Sequence, residues 1–243
     1  MVELDVDKGI IYYTDNRIGE PIRSMVIDTI KASRLPVTSC SLKPISFGEN
    51  IVVEGVRSYP TMVKQILTAL KHSTAKYVFF CEHDVLYHKS HFDFTPENDD
   101  LYYYNINNWR WDYMNNRAIQ YDGLTSLSML CCNRELAVSH YKLRSRLIEE
   151  QELDKLRGRE PRWARRFGYE PGTKRKRRGG VSDEVSERWK SELPNIDIRH
   201  NKTFSRPKTR LTDFVHQPTG WLEVTIDKIP YWNLNERFGC NYS

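Results

Sequence analysis

Nothing in the 243-residue chain approaches the ~20-residue apolar run of a membrane helix, so a helical span is not expected. The five cysteines are odd in number and form no spaced framework, and Cys131 and Cys132 are adjacent. That excludes a disulfide scaffold and points to free thiols in a reducing, cytoplasmic setting. Cys81, His83, His88 and His91 lie close together, but their spacing matches no zinc pattern, so packing or acceptor contact is the expectation for them. The stretch "YTDNRIGEP" after the first apolar run holds a single glycine. It therefore lacks the Gly-rich phosphate loop with which metal-dependent nucleotidyltransferases usually open. There is no internal repeat. Met1 to Lys8 is acidic and polar, so no signal peptide is expected there.

What is present is unevenly distributed. Net charge is +5, yet eleven basic residues lie between Lys155 and Arg178 with only Glu160 and Glu170 opposing them. The rest of the chain is then slightly acidic, and the basicity marks a local polyanionic partner rather than a generally sticky surface.

The periodicities predict an α/β fold. "GIIYYTDN" (9–16) and "YVFFC" read as short buried strands, and "PVTSC" and "IVVE" as two more short strands. A helix is expected from Ile18 to Ser33, with Ile18, Ile22, Met25, Val26 and Ile30 on one face. A second follows Ser58 as N-cap and Pro60, with Met62, Val63, Ile66, Leu67 and Leu70 inward. Strand, helix, strand, helix, strand implies a parallel sheet covered on both faces, with ligands outside the C-terminal strand ends. Further on, "LYYYNI", "WRWDYM" and "LTSLSMLCC" are expected strands, with a turn at Asp122-Gly123. A helix is expected over Asn133–Ile148 with Leu136, His140, Leu143 and Leu147 on one side. "SDEVSERWKSEL" reads as a helix capped at Ser182, and "NIDIRH" as a last short strand. The whole is one domain over 1–243. Its nucleotide-binding half is 9–90 and its acceptor-side half is 100–200, with a basic loop at 155–180 and a tail at 201–243.

Within this frame "YVFFCEHDVLYH" (77–88) is anomalous. An apolar run stops at Glu82-His83-Asp84, three groups costly to bury, and resumes at Val85. Both Thr14-Asp15-Asn16 and Glu82-His83-Asp84 fall at C-terminal strand ends, which makes them one candidate site. A carboxylate there, beside another acid, suits magnesium or manganese, which take few protein oxygens and complete their shell with water and phosphate. Asp84 is the first candidate ligand, and Glu82 would meet the metal through water or hold a ribose hydroxyl. A turn-capping Asp84 is the alternative.

"STAKYVFFCEHDVLYH" resembles the centre of a glycosyltransferase of the GT-A fold, near the large inverting family of bacterial and viral sugar transferases. Those enzymes end a central strand in an Asp-x-Asp or related acidic motif; here Glu82 stands at the first acidic position. The resemblance extends over about 9–90, including "GVRSYPTMVKQILTAL". It implies that Asp84 binds a metal bridging the diphosphate of a nucleotide-sugar, UDP-sugar being the expected donor. It implies that Thr14, Asp15 and Asn16 line the nucleoside pocket, with Arg57 near base or phosphates and Glu82 and His83 at the cofactor. His200 would be a late metal ligand, or else a polar strand end.

An inverting transferase also needs a carboxylate to take the acceptor's proton. Glu170, in the turn-forming "FGYEPGT", is preferred to Asp183, in "VSDEV", an ordinary first-turn acid by its setting. The basic segment interleaves Trp163, Phe167 and Tyr169 with its cations, a composition suited to phosphates and unstacked bases. With a sugar transferase, it suggests DNA bearing hydroxymethylated bases as acceptor, as in viruses that glucosylate their genomes, the base being flipped into the site. A glycan or lipid-linked sugar is the alternative acceptor. A nucleic-acid-binding protein with a structural acidic cluster is the alternative class.

Overall fold

The computed structural model describes residues 7–120, 122–150, 152, 170–173, 185–203, 208–214 and 220–239. In chain order the elements are β1 (Lys8–Thr14), α1 (Ile22–Lys31), β2 (Val37–Ser41), β3 (Glu49–Val52), α2 (Tyr59–His72), β4 (Tyr77–Glu82) and β5 (Val85–Leu86). They continue with β6 (Tyr102–Asn105), β7 (Asn108–Asp112), β8 (Arg117–Gln120), β9 (Leu130–Asn133), α3 (Arg134–Glu150), β10 (Ser186–Trp189), β11 (Asn195–Arg199), β12 (Leu222–Val224) and α4 (Leu234–Phe238). The protein is α/β with two mixed sheets. The larger runs β10-β6-β9-β4-β1-β2-β3, and the smaller runs β12-β8-β7-β11-β5.

The larger sheet begins as expected. β3, β2, β1 and β4 are parallel, with Ile10 opposite Val37 and Phe79 in register. β9 then runs antiparallel between β4 and β6, and β10 closes the edge parallel to β6. Alternation along β1 and β4 sorts side chains onto two faces. Ile10, Tyr12, Phe79 and Cys81 enter one core with Ile22, Val26 and Ile30 of α1 and with Trp111, Ile196 and Ile198 of the smaller sheet. Ile11, Tyr13, Val78 and Phe80 enter the other, with Val63, Ile66 and Leu70 of α2 and Tyr141 of α3. The central strands are thus buried on both sides, which is why they read as continuous apolar runs.

The helix ends follow local chemistry. Ser58 caps α2 by accepting from the Thr61 amide (3.2 Å). α1 starts at Ile22 rather than Ile18, and Glu20 accepts from the Ser24 amide (3.1 Å) in its first turn. α3 forms as expected, but its buried side is rotated. Ala137, Val138, Tyr141, Arg144 and Ile148 face inward, while Leu143 is 38% exposed. The polar ends of Tyr59 and His140 both bond Arg144, so a polar seam along α2 sets the rotation rather than the leucines.

Two expectations are corrected. The predicted helix over "SDEVSERWKSEL" is a strand where described, β10. Its Val185–Trp189 spacing mimics a helix, but the Trp189 ring lies flat on Phe94 (4.5 Å, 6°) and the backbone pairs with β6. Of "LTSLSMLCC" only the end is strand, Leu127–Met129 forming a 3-10 turn. The apolar resumption at Val85 is also explained. β5 is the edge strand of the smaller sheet, paired antiparallel to β11, so His83-Asp84 is the corner where the chain leaves one sheet for the other. Among the described residues, no helix is long and apolar enough to cross a membrane.

Candidate functional site

Four segments meet at the C-terminal ends of β1 and β4: the β1 end, the β4–β5 corner, the start of α2 and the end of β11. The Ile198 amide donates to the Asp84 carbonyl (2.8 Å), so β11 is fastened to the corner and delivers Arg199 and His200 beside it. Asp84 and His200 are both buried, 8% and 6% exposed. His200 Nε2 stands 3.6 Å from Asp84 Oδ2. That is longer than a hydrogen bond. Burial pushes the Asp84 carboxyl up, but the His200 ring, His83 and the Arg199 guanidinium outweigh it and hold the group below the usual range.

Glu82 faces the other way. The Tyr13 hydroxyl donates to Glu82 Oε1 (2.5 Å), on the side of the sheet that α2 covers. The Glu82 amide donates to the Tyr87 hydroxyl (2.9 Å). Burial, then the charge of Asp84, raises the Glu82 carboxyl to about 8, against the lowering effect of the Tyr13 bond; Asp197 and Glu170 add to the rise. Two acids of one motif, separated by His83, are therefore tuned in opposite directions.

On the β1 side, Asp15 Oδ2 accepts from Arg57 Nε (2.5 Å), and Asp15 Oδ1 is 4.0 Å from His83 Nδ1. Arg57 also donates to the Lys202 carbonyl (2.9 Å), while Lys202 Nζ reaches the Arg17 carbonyl (3.2 Å). The segment after β11 is thereby laced across the β1 end. Asn16, in the left-handed region at φ 60°, receives the Leu42 and Lys43 amides on its side-chain oxygen and donates to the Lys43 carbonyl. Its amide group is occupied in shaping the β2 end. Thr14 is similarly local, its hydroxyl accepting from the Asn16 amide (3.0 Å).

A tight turn sets Glu170 on the Glu82 side of the sheet, where its charge acts on Glu82, Tyr104 and Tyr141. Its carbonyl accepts from the Thr173 amide (3.0 Å), and Tyr104 donates to the Pro171 carbonyl (2.5 Å). Gly172 sits at φ 70°, and a Cβ there would lie 2.3 Å from the Tyr102 ring. Gly172→Ala is expected to undock the turn and lower stability by about 1 kcal/mol or more, read by denaturant titration. An unchanged transition would show that the turn does not depend on this close approach. Asp183 and the rest of the 155–180 basic loop lie outside the described residues.

For a divalent cation, Asp84 and His200 fit two positions. Their 3.6 Å separation spans a cation with bonds of about 2.1 Å, and His200 Nε2 is buried with no hydrogen-bond partner among the described residues. His200 Nδ1 accepts from the Lys202 amide (3.1 Å), which in the neutral ring places the proton on Nε2, so ligation requires that bond to yield. Among the described residues no group of three His, Cys, Asp or Glu side chains is arranged to hold a metal, and Glu82 is turned toward Tyr13. His91 and His88 serve packing, His91 stacking on Trp189 (5.4 Å) and His88 bonding Ser90 (2.8 Å). A cavity of about 340 Å³, lined by Lys8, Leu35, Lys89, Phe92 and Asp93 among others, lies at the opposite end of β1.

Sequence reasoning missed Tyr13, Asp197, Arg199 and Lys202. The alternation Asp197-x-Arg199 inside "NIDIRH" was the available signal for two of them, since it puts both on one face of a strand. No protein-family model matches the chain, and no curated protein matches it.

Proposed function

We propose that the protein is a metal-dependent glycosyltransferase of the GT-A fold that moves a sugar from a nucleotide-sugar, a UDP-sugar in the first instance, to a hydroxyl acceptor. The observation that carries this reading is the buried Asp84–His200 pair, 3.6 Å apart, at the strand ends with Arg57 beside it. The parallel β3-β2-β1-β4 half and the antiparallel β9 that continues it are compatible with that fold.

Asp84 and His200 would hold magnesium or manganese, which when bound supplies charge stabilisation for the departing diphosphate. Arg57, fixed by Asp15, supplies a guanidinium close by. Glu82, protonated below about pH 8, limits the negative charge of the cluster and leaves its outer side for a ribose hydroxyl. Glu170 is assigned as the base that takes the acceptor's proton. The Lys155–Arg178 stretch supports DNA with hydroxymethylated bases as the acceptor.

The test is a thermal-shift titration with UDP, with and without manganese. At ~100 times the dissociation constant, a ligand specific for the folded state adds about 2.7 kcal/mol. A metal-dependent shift is expected. If no nucleoside diphosphate shifts the transition, the reading fails, and a nucleic-acid-binding protein with a structural acidic corner replaces it.

A further inference from the structure

We propose that the rim formed by the chain just beyond β1, β2 and β11 is a docking surface for the phosphate backbone of nucleic acid, with Arg17, Lys43 and Lys202 as its contacts. The choice of partner rests on the reading of DNA as acceptor. The surface itself is separate from the basic 155–178 stretch.

Three segments distant in sequence carry these cations, and a fixed frame joins them. Asn16, at φ 60°, accepts from the Leu42 (2.8 Å) and Lys43 (2.9 Å) amides and donates to the Lys43 carbonyl (3.0 Å). The Arg17 amide donates to Asp15 Oδ1 (3.0 Å). Lys202 Nζ donates to the Arg17 carbonyl (3.2 Å), and the Lys202 carbonyl accepts from Arg57 (2.9 Å). This lacing draws on backbone groups, on Asn16, Asp15 and Arg57, and on one of the three Lys202 N–H donors. The charged ends are left outward. Arg17, Lys43 and Lys202 are all exposed. Among the described residues the Arg17 guanidinium and the Lys43 ammonium have no hydrogen-bond or ion-pair partner, and Lys202 Nζ has the Arg17 carbonyl alone. Neighbouring acids are engaged elsewhere, Asp15 with Arg57 (2.5 Å) and Glu20 with Arg23 (2.6 Å).

Magnitudes favour a polymer over a small anion. An exposed cation gains little from one anion, because water screens the pair and ordering a long side chain costs entropy. Against nucleic acid the balance differs, since every phosphate neutralised releases condensed counterions. Three outward cations on one frame therefore suit a row of phosphates. The rim also adjoins the Asp84–His200 corner, where the Lys202 amide donates to His200 Nδ1 (3.1 Å). A backbone lying on the rim passes beside that corner. Phosphate contacts fix the register and orientation of a duplex without reading its sequence. That is what presenting one modified base to a reaction site requires.

The experiment follows the anisotropy of a short fluorescent DNA duplex against the full chain between about 50 and 200 mM salt. Arg17→Gln combined with Lys43→Gln is expected to make the slope of log affinity against log salt shallower by about 1.8, and Lys202→Gln to remove about 0.9 more. Arg17→Lys combined with Lys43→Arg is expected to keep the wild-type slope, because charge rather than shape is read. Calorimetry with UDP and manganese is expected to show no change in the Arg17→Gln, Lys43→Gln protein. Thermal unfolding checks folding, and should a combined variant fail to fold, the single substitutions decide at about 0.9 each. A wild-type slope in the folded double variant overturns the proposal and leaves DNA to the 155–178 stretch. Loss of UDP binding in step with DNA binding overturns it by making the rim part of the donor site. Binding to anionic phospholipid vesicles without binding to DNA overturns it in favour of a membrane surface. If the wild-type protein fails to bind DNA even at low salt, this proposal and the DNA acceptor fall together, while the UDP response still tests the sugar-transfer reading.

Discussion

Under the proposed nucleotide-sugar reading, Asp84→Asn is expected to abolish a manganese-dependent response to UDP and to lower sugar transfer by on the order of a thousandfold. The amide matches the carboxylate in shape but brings no charge to a corner where His200, His83 and Arg199 all converge on an anion. Circular dichroism and a cooperative thermal transition establish that the fold persists. Full activity in a folded Asp84→Asn protein would remove the metal assignment. The variant also has a stability signature. The Asp84 carboxyl is held below its ordinary value, so its charged form contributes stability above the unfolded-state value of about 3.8, and the contribution fades as pH falls through the lower folded value. The deficit of Asp84→Asn should therefore be present at pH 7 and shrink in acid.

Glu82→Gln is expected to behave in the opposite sense. Its carboxyl titrates near 8 in the folded protein against 4.5 ordinarily, so the folded state binds the proton more tightly. Stability is then lost as pH rises from about 4.5 to about 8. Glutamine reproduces the protonated group and still accepts from Tyr13. In metal-free protein the variant should match wild type at pH 5 and exceed it at pH 9 by about 2 kcal/mol, less than the full 1.36 kcal/mol per pH unit because Glu82 is only partly shielded from solvent. Denaturant titrations at the two pH values measure this. Parallel curves at both would mean that the Tyr13 bond alone governs the group.

The opposite behaviour of these two acids marks the limit of what the sequence discloses. The strand positions of Glu82 and Asp84 were legible because an apolar run ends there, and α2 was legible through Ser58, Pro60 and its apolar spacing. That the chain changes sheets at His83 was not. Two residues as short as Val85-Leu86 carry no periodicity, and their partner Ile196 lies far along the chain. Glu82 faces Tyr13 and Asp84 faces His200 because of that corner. A simple alternation along one strand would have put both acids on the same side. The rotation of α3 was hidden for a different reason, since a buried arginine among tyrosine hydroxyls looks in sequence like a solvated face. The tail was equally opaque, although Trp232 is buried with its Nε1 donating to the Pro194 carbonyl (2.7 Å). The basic segment was conspicuous in composition, but of its residues only the Glu170 turn is described.

The position of β11 has a consequence for how the site comes into being. It is inserted between β7 and β5, pairing Asn195 with Asn108 and Ile196 with Leu86, so both of its neighbours are made much earlier in the chain. Closing such distant segments is slow relative to the local βα units at the start of the protein. During synthesis β1, β4 and their helices can pair while β11 is still absent. The acidic corner then exists before His200 and Arg199 reach it, and the cluster is completed only when β11 docks in the smaller sheet.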